Sequence, residues 1–134
     1  MTRRESFNKY ANRLEEAARA HASLGYFDRY VHQRIDFGFV GPVPKDVRDL
    51  IRQAPEGSDL RVARSLFTVR QLDRAQDKAI ANREFQVGAV GLLDRGRGIE
   101  VVTESRELVH SHRPAWLLGV RVGVIVRAGT VSPT

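Results

Sequence analysis

The sequence predicts an α+β fold in which N-terminal helices are followed by a C-terminal antiparallel sheet of about three to four strands. Three observations carry this expectation. Apolar residues recur at three- and four-residue steps as far as about Arg83, the signature of helices with one buried face. From Phe85 onward valine and glycine rise, and apolar residues fall on every second position, as in strands. Two breakers, Gly41-Pro42-Val43-Pro44 and Pro55-Glu56-Gly57-Ser58, interrupt the first part. A chain of 134 residues is the size of one ordinary domain. We therefore expect a single domain over 1–134, with a helical portion over about 1–84 and a β portion over about 85–131.

The first helix is expected from the stripe Phe7, Tyr10, Leu14, Ala17, Ala18, His21 and Leu24, with Gly25 placed to end it. Tyr26 to Arg34 reads as a second short helix that groups Phe27, Tyr30 and Val31. Ile35, Phe37 and Phe39 then alternate as a short strand. After the first breaker, Val47, Leu50 and Ile51 form the inner face of another short helix. Ser58 can cap the next helix, with Asp59 favourable in its first turn. Val62, Leu66, Val69, Leu72, Gln76, Ala79 and Ile80 continue as one stripe, which predicts a long helix to about Arg83. A strand over Leu60 to Val69 alternates poorly, because Arg and Leu fall on both faces.

In the last third, Phe85, Val87, Ala89 and Leu93 alternate, Asp94-Arg95-Gly96-Arg97-Gly98 reads as a turn, and Ile99 to Val102 resumes extended. This is a β-hairpin pattern. After Pro114, the residues Trp116, Leu118, Val120, Val122, Val124 and Val126 all fall on one face, which predicts a long central strand. The sequence displays no repeat and no low-complexity stretch.

Composition narrows the chemistry. Apolar residues make up 42% and charged residues 28%, which is globular composition. There is no cysteine, which excludes disulfides, thiolate metal sites and a thiol nucleophile. The N-terminal residues are charged and lack the apolar core of a secretory signal. A membrane span needs about 20 largely apolar residues, and the best run, Ala115 to Val126, is shorter and contains Arg121. We expect a soluble, cytoplasmic protein with no membrane partner.

The choice of cation is the most informative compositional feature. Of 22 basic residues only Lys9, Lys45 and Lys78 are lysines; the remaining 19 are arginines, and the net charge is +6. Arginine's planar fork of donors matches phosphate and carboxylate, and it sheds water more readily than lysine. A basic chain favours anionic partners, most often nucleic acid. Most of the arginines have an acid within a helical turn, so position matters more than number.

Two faces stand out. On the expected long helix, Arg64, Arg70, Arg74 and Lys78 lie opposite the apolar stripe, the last three at four-residue steps, as in phosphate-contacting helices. Asp73 and Asp77 border the row and can pair with it. On the expected last strand, Arg121 and Arg127 share a face with Gly119 and Gly123, a low-relief face that a backbone or ligand can approach closely. Arg95 and Arg97 on the glycine-rich turn are further phosphate candidates, although the turn lacks the lysine and hydroxyl of a nucleotide-binding loop. Phe67, on the helix face, and Trp116, just after Pro114, are candidates for stacking on bases. The alternation itself places Trp116 in the core.

Nothing in the chain reads as catalytic. His110 and His112 flank Ser111 but lack the third ligand a zinc site needs. Glu15-Glu16 and Asp46-Asp49 sit beside cations on helix surfaces. No cofactor and no metal is expected. The function expected from the sequence is a non-catalytic nucleic-acid-binding protein that contacts the phosphate backbone of RNA or DNA, of a kind found in viruses and phages, and a homo-oligomer. The alternative is a structural or adaptor subunit of a larger viral or phage assembly, with a phosphate-handling enzyme a distant third.

Overall fold

Thr2 begins the first helix. Its hydroxyl accepts from the Glu5 backbone N–H at 3.1 Å, satisfying one of the free donors of a helix start. The computed structural model describes residues 2–130. Helix α1 (Arg3–Arg19) buries Phe7, Tyr10, Ala11, Leu14 and Ala18, five members of a three- and four-residue repeat. It ends earlier than the sequence predicts: Leu24 and Gly25 belong to the first strand.

The chain divides into two compact units, Met1–Val69 and Arg70–Thr134. In the first unit α1 leads into β1 (Leu24–Tyr30), β2 (Arg34–Phe39), α2 (Lys45–Arg52) and β3 (Asp59–Arg64). In the second, α3 (Val69–Ile80) leads into β4 (Val87–Leu92), a 3-10 turn (Asp94–Gly96), β5 (Ile99–Thr103), α4 (Arg106–His110), α5 (Pro114–Leu118) and β6 (Val124–Ala128).

This corrects the expected arrangement of helices first and one antiparallel sheet after. Among the described residues there are two three-stranded sheets, ordered β1-β2-β3 and β4-β5-β6, and each is mixed. In each sheet an antiparallel hairpin is joined by a third strand parallel to its second. A parallel neighbour requires a crossover connection, which explains why helices alternate with strands.

The two units share one plan, α-β-β-α-β. Ile35 pairs with Leu60 and Ile99 with Val124, the same separation in sequence. The register slips at Gly25 in one hairpin and at Gly88 in the other, one residue into the first strand each time. Both third strands end on the same bond: Ser65 N–H to Phe39 C=O, and Gly129 N–H to Thr103 C=O, each 3.0 Å. At the first bulge a side chain is excluded, because a Cβ on Gly25 would collide with Ser65 Oγ. The repeated plan escapes sequence inspection because paired positions, such as Phe37 and Val101, keep apolar character without keeping identity.

Three further elements differ from expectation. Residues 26–34 form a hairpin rather than a helix: Phe27 and Tyr30 are spaced for one helix face, but pairing with β2 puts them on opposite faces of the sheet, Phe27 buried and Tyr30 exposed. The expected long helix is a strand, β3, followed by α3. Its stripe was a coincidence of spacing, in which Val62 comes from a strand, Leu66 from the loop and Val69 from a helix start. Ser58 does not cap a helix; its hydroxyl donates to Pro55 C=O at 2.6 Å. The long last strand is also two elements. Pro114 opens α5 at the first helical position, and Gly119, at φ 71°, closes it in the left-handed region, the expected roles of these residues at helix ends. Val131, the expected end of the β portion, lies outside the described residues.

The first unit's core is aromatic. Phe7, Tyr10, Phe27, Phe37 and Phe39 pack with Leu14, Ile35 and Val47, and the Tyr10 hydroxyl donates to Leu50 C=O at 2.7 Å, tying α1 to α2. Burial raises the Tyr10 pKa, with Arg13 opposing. The second unit buries smaller side chains, among them Leu72, Ile99, Val101, Leu108, Leu118, Val120 and Val122. Among the described residues, no helix is long and apolar enough to cross a membrane.

Candidate nucleic-acid interface

Helix α3 buries Leu72, Ala75 and Ala79. That leaves Arg70, Arg74 and Lys78 exposed on its surface, at the four-residue steps the sequence predicts. The second half of the site depends on the turn after α5. With Gly119 left-handed, its N–H bonds Trp116 C=O at 3.1 Å and the Val120 N–H bonds Ala115 C=O at 2.9 Å. The chain bends at residues 121–122 before β6 begins, with Val120 and Val122 buried and Arg121 exposed between them. Arg121 is therefore held by its two neighbours.

These pieces meet in a cleft of about 320 Å³. It is lined by Gln71, Arg74, Ala75, Lys78 and residues 119–122. Arg74, Lys78 and Arg121 supply three cations, and no acid lines the cleft. Among the described residues, these three form no ion pair. The Lys78 chain crosses directly over Gly119, where a Cβ would stand 3.1 Å from Nζ. The left-handed turn favours glycine there, and a Cβ would make the end of the lysine shift by a few tenths of an ångström. An apolar floor with three unneutralised cations at its edge is chemically suited to a phosphate or another anion, which would relieve their mutual repulsion.

The other candidates stand elsewhere. Arg64 ends β3 and Phe67 is half-buried in the loop after it; both belong to the first unit, so neither lies on the helix face where the sequence places them. Arg127 is on β6 and pairs with Glu100 at 3.2 Å. Arg97 is engaged by Asp94, with Nε 3.0 Å from Oδ1 and Nη2 closer still. That bond, helped by the charges of Arg97 and Arg95, holds the Asp94 carboxyl below its ordinary pKa. Arg95 adopts φ 57° on the same turn. Trp116 corrects the core assignment. On α5 it is 73% exposed, because the helix, not a strand, decides its direction.

His110 ends α4 and His112 lies just beyond it. The described residues contain no group of three or more His, Cys, Asp or Glu placed to hold a metal ion. The sequence places Gly119, Val120 and Val122, which line the cleft, on a long strand and misses their position just after a short helix. Their signal was the Pro114…Gly119 spacing, a short helix bounded by its preferred start and stop residues. Comparisons with protein-family models and with curated proteins find no match.

Proposed function

We propose that the chain binds nucleic acid without catalysis, gripping the phosphate backbone through Arg74, Lys78 and Arg121. The observation that supports this reading is the convergence of these three cations on one acid-free cleft. Arg70 extends the row along α3 by one turn, and exposed Trp116 offers a stacking surface that any base can use. Arg127 and Arg97 contribute less, because each already has an acid partner. Backbone contacts carry no base identity, so the reading is of low sequence specificity.

Binding of this kind releases counterions and weakens with salt. For three phosphate contacts on duplex DNA the slope of log K against log salt is roughly −3. The test is titration of a labelled duplex and a labelled single strand at increasing ionic strength. Salt-sensitive binding that is lost in the triple variant R74A/K78A/R121A supports the reading. No shift at low salt sinks it. A structural subunit is the second reading, favoured by β6, which has β5 on one side and, among the described residues, no strand on the other; Ile125 on it is 45% exposed. Concentration-independent monomer mass in light scattering would remove that reading.

A further inference from the structure

The turn between β1 and β2 is built against its residue types. Tyr30 pairs with Arg34 across it, and His32 and Gln33 both take positive φ, 61° and 58°. Hairpin turns ordinarily fill such positions with Asn, Asp or Gly. Histidine tolerates the left-handed region better than most side chains; glutamine does not share that tolerance. The equivalent turn of the second unit has one such residue, Arg95, and uses Gly96 and Gly98 for its other positive-φ positions. The same plan can therefore be closed with glycine, and the first unit holds two side chains in strain instead. Strained backbone of this sort collects at ligand sites.

The strained turn forms one wall of a cleft of about 560 Å³, and the first turns of α1 form another. Arg4, Arg29 and His32 line it with Asn8, and no acid does. Arg29 is oriented by Asn12, whose Oδ1 accepts from Nη1 at 2.8 Å, and Glu15 lies 3.6 Å from the same nitrogen. Arg4 and His32 have no ion pair among the described residues. The apolar part of the lining is Phe7, Tyr30 and Val31, and Val31 is 78% exposed at the tip. The Tyr30 ring is fixed from one side by Arg34, whose guanidinium carbon is 4.8 Å from its centroid. Arg34 in turn is bound by Asp36 through two hydrogen bonds, 2.9 and 2.7 Å.

From this juxtaposition we infer a second binding site, for a small organic phosphate whose apolar ring rests on Phe7, Tyr30 and Val31 while Arg4, Arg29 and His32 take its phosphate oxygens. Three nitrogen donors suit the three terminal oxygens of a phosphate monoester better than the two of a carboxylate. The volume exceeds what inorganic phosphate alone would fill. The strained turn has a role in this arrangement: it carries His32 and Val31 at the edge of the cleft. The site lies in the first unit and does not depend on the nucleic-acid reading of the second.

The test uses the full chain with phenyl phosphate as probe, and inorganic phosphate and benzoate as comparisons, by titration calorimetry and chemical-shift mapping. Phenyl phosphate should bind at least five-fold more tightly than either comparison and shift residues 31–33. Arg4→Ala, at an exposed position, should weaken it at least five-fold. The double variant H32N/Q33G supplies residues that suit the turn. It should melt at a higher temperature and bind phenyl phosphate at least five-fold more weakly. Absence of binding to the unmodified chain at millimolar probe overturns the proposal. So does a double variant that gains thermal stability and binds as before, since the strained side chains would then serve no ligand.

Discussion

The two units run the same α-β-β-α-β course with the same strand register, yet they put different side chains on it. In the first, the middle strand carries Ile35, Phe37 and Phe39 into an aromatic core, with Phe37 and Phe27 rings 5.4 Å apart. The opposite face of that sheet is a charged lattice, in which Arg34 binds Asp36 and Arg61 binds Asp59. In the second, the corresponding middle strand carries Ile99, Val101 and Thr103. Its other face holds Glu100 and Val102 beside Ile125 and Arg127. The crossover is one helix, α2, in the first unit and two short ones, α4 and α5, in the second. The cationic cleft is built from α3 and from residues 119–122, just after α5. A common backbone sets where the strands lie, while the crossover and its ending determine which charges converge.

The two cores should respond differently to truncation. Phe37→Ala should cost about 3–5 kcal/mol, because it opens a ring-sized cavity among rings that cannot collapse onto it. Its counterpart Val101→Ala should cost roughly 1–3 kcal/mol. Urea unfolding of the two variants measures both, and equal losses would mean that the cores differ less than their side chains suggest.

The units also differ at one buried polar position. Thr103 is fully buried; its hydroxyl donates to Phe85 C=O and accepts from Ser105 N–H at 3.0 Å. Phe39 occupies the equivalent place in the first unit. Thr103→Val keeps the shape and removes both bonds, at a cost of about 1–3 kcal/mol for the groups left unpaired. A neutral result would show that those groups find other partners.

How much of this was legible in the sequence depends on the range of the contacts. The α1 stripe as far as Ala18 and the alternation of Ile35, Phe37 and Phe39 are local, and both form as their spacing predicts, although α1 ends before His21 and Leu24. The row Arg70, Arg74 and Lys78 is local too, and it stays on one helix. The parallel pairings were not legible, because they join residues across a crossover and leave no trace in the spacing of either strand. Val62, Leu66 and Val69 imitated a helix while belonging to three elements. The six alternating residues from Trp116 to Val126 imitated a strand, and their apolar character outweighed the Pro and Gly that bound a short helix. Arg74, Lys78 and Arg121 were each legible as candidates, but their convergence was not, because it depends on the turn at Gly119.

Gly119→Ala tests that turn. The substitution strains a left-handed residue by about 1–2 kcal/mol and crowds the Lys78 chain, so stability should fall by that order in a thermal melt and the cleft should open. A variant as stable as the parent would mean that the turn relaxes freely.

The smallest effect is expected at the hairpin tip. Because Arg97 holds the Asp94 carboxyl below its ordinary pKa, the bond's contribution is complete above the unfolded value near pH 4. It is lost as pH falls through the lower folded value. Melting temperature followed into acid should therefore fall less steeply in Asp94→Asn than in the parent. Identical acid limbs would show that solvent cancels this exposed pair.

The central claim is that converging cations matter, and not the number of arginines. The direct measurement is the salt slope of duplex binding for three proteins: the parent, R74A/K78A/R121A, and R19A/R52A/R61A. The last removes the same number of charges from the first unit, where each has an acid partner. The cleft variant should lose most of a slope of roughly −3, and the control should keep it. Equal losses in the two variants, or none in either, would contradict the account.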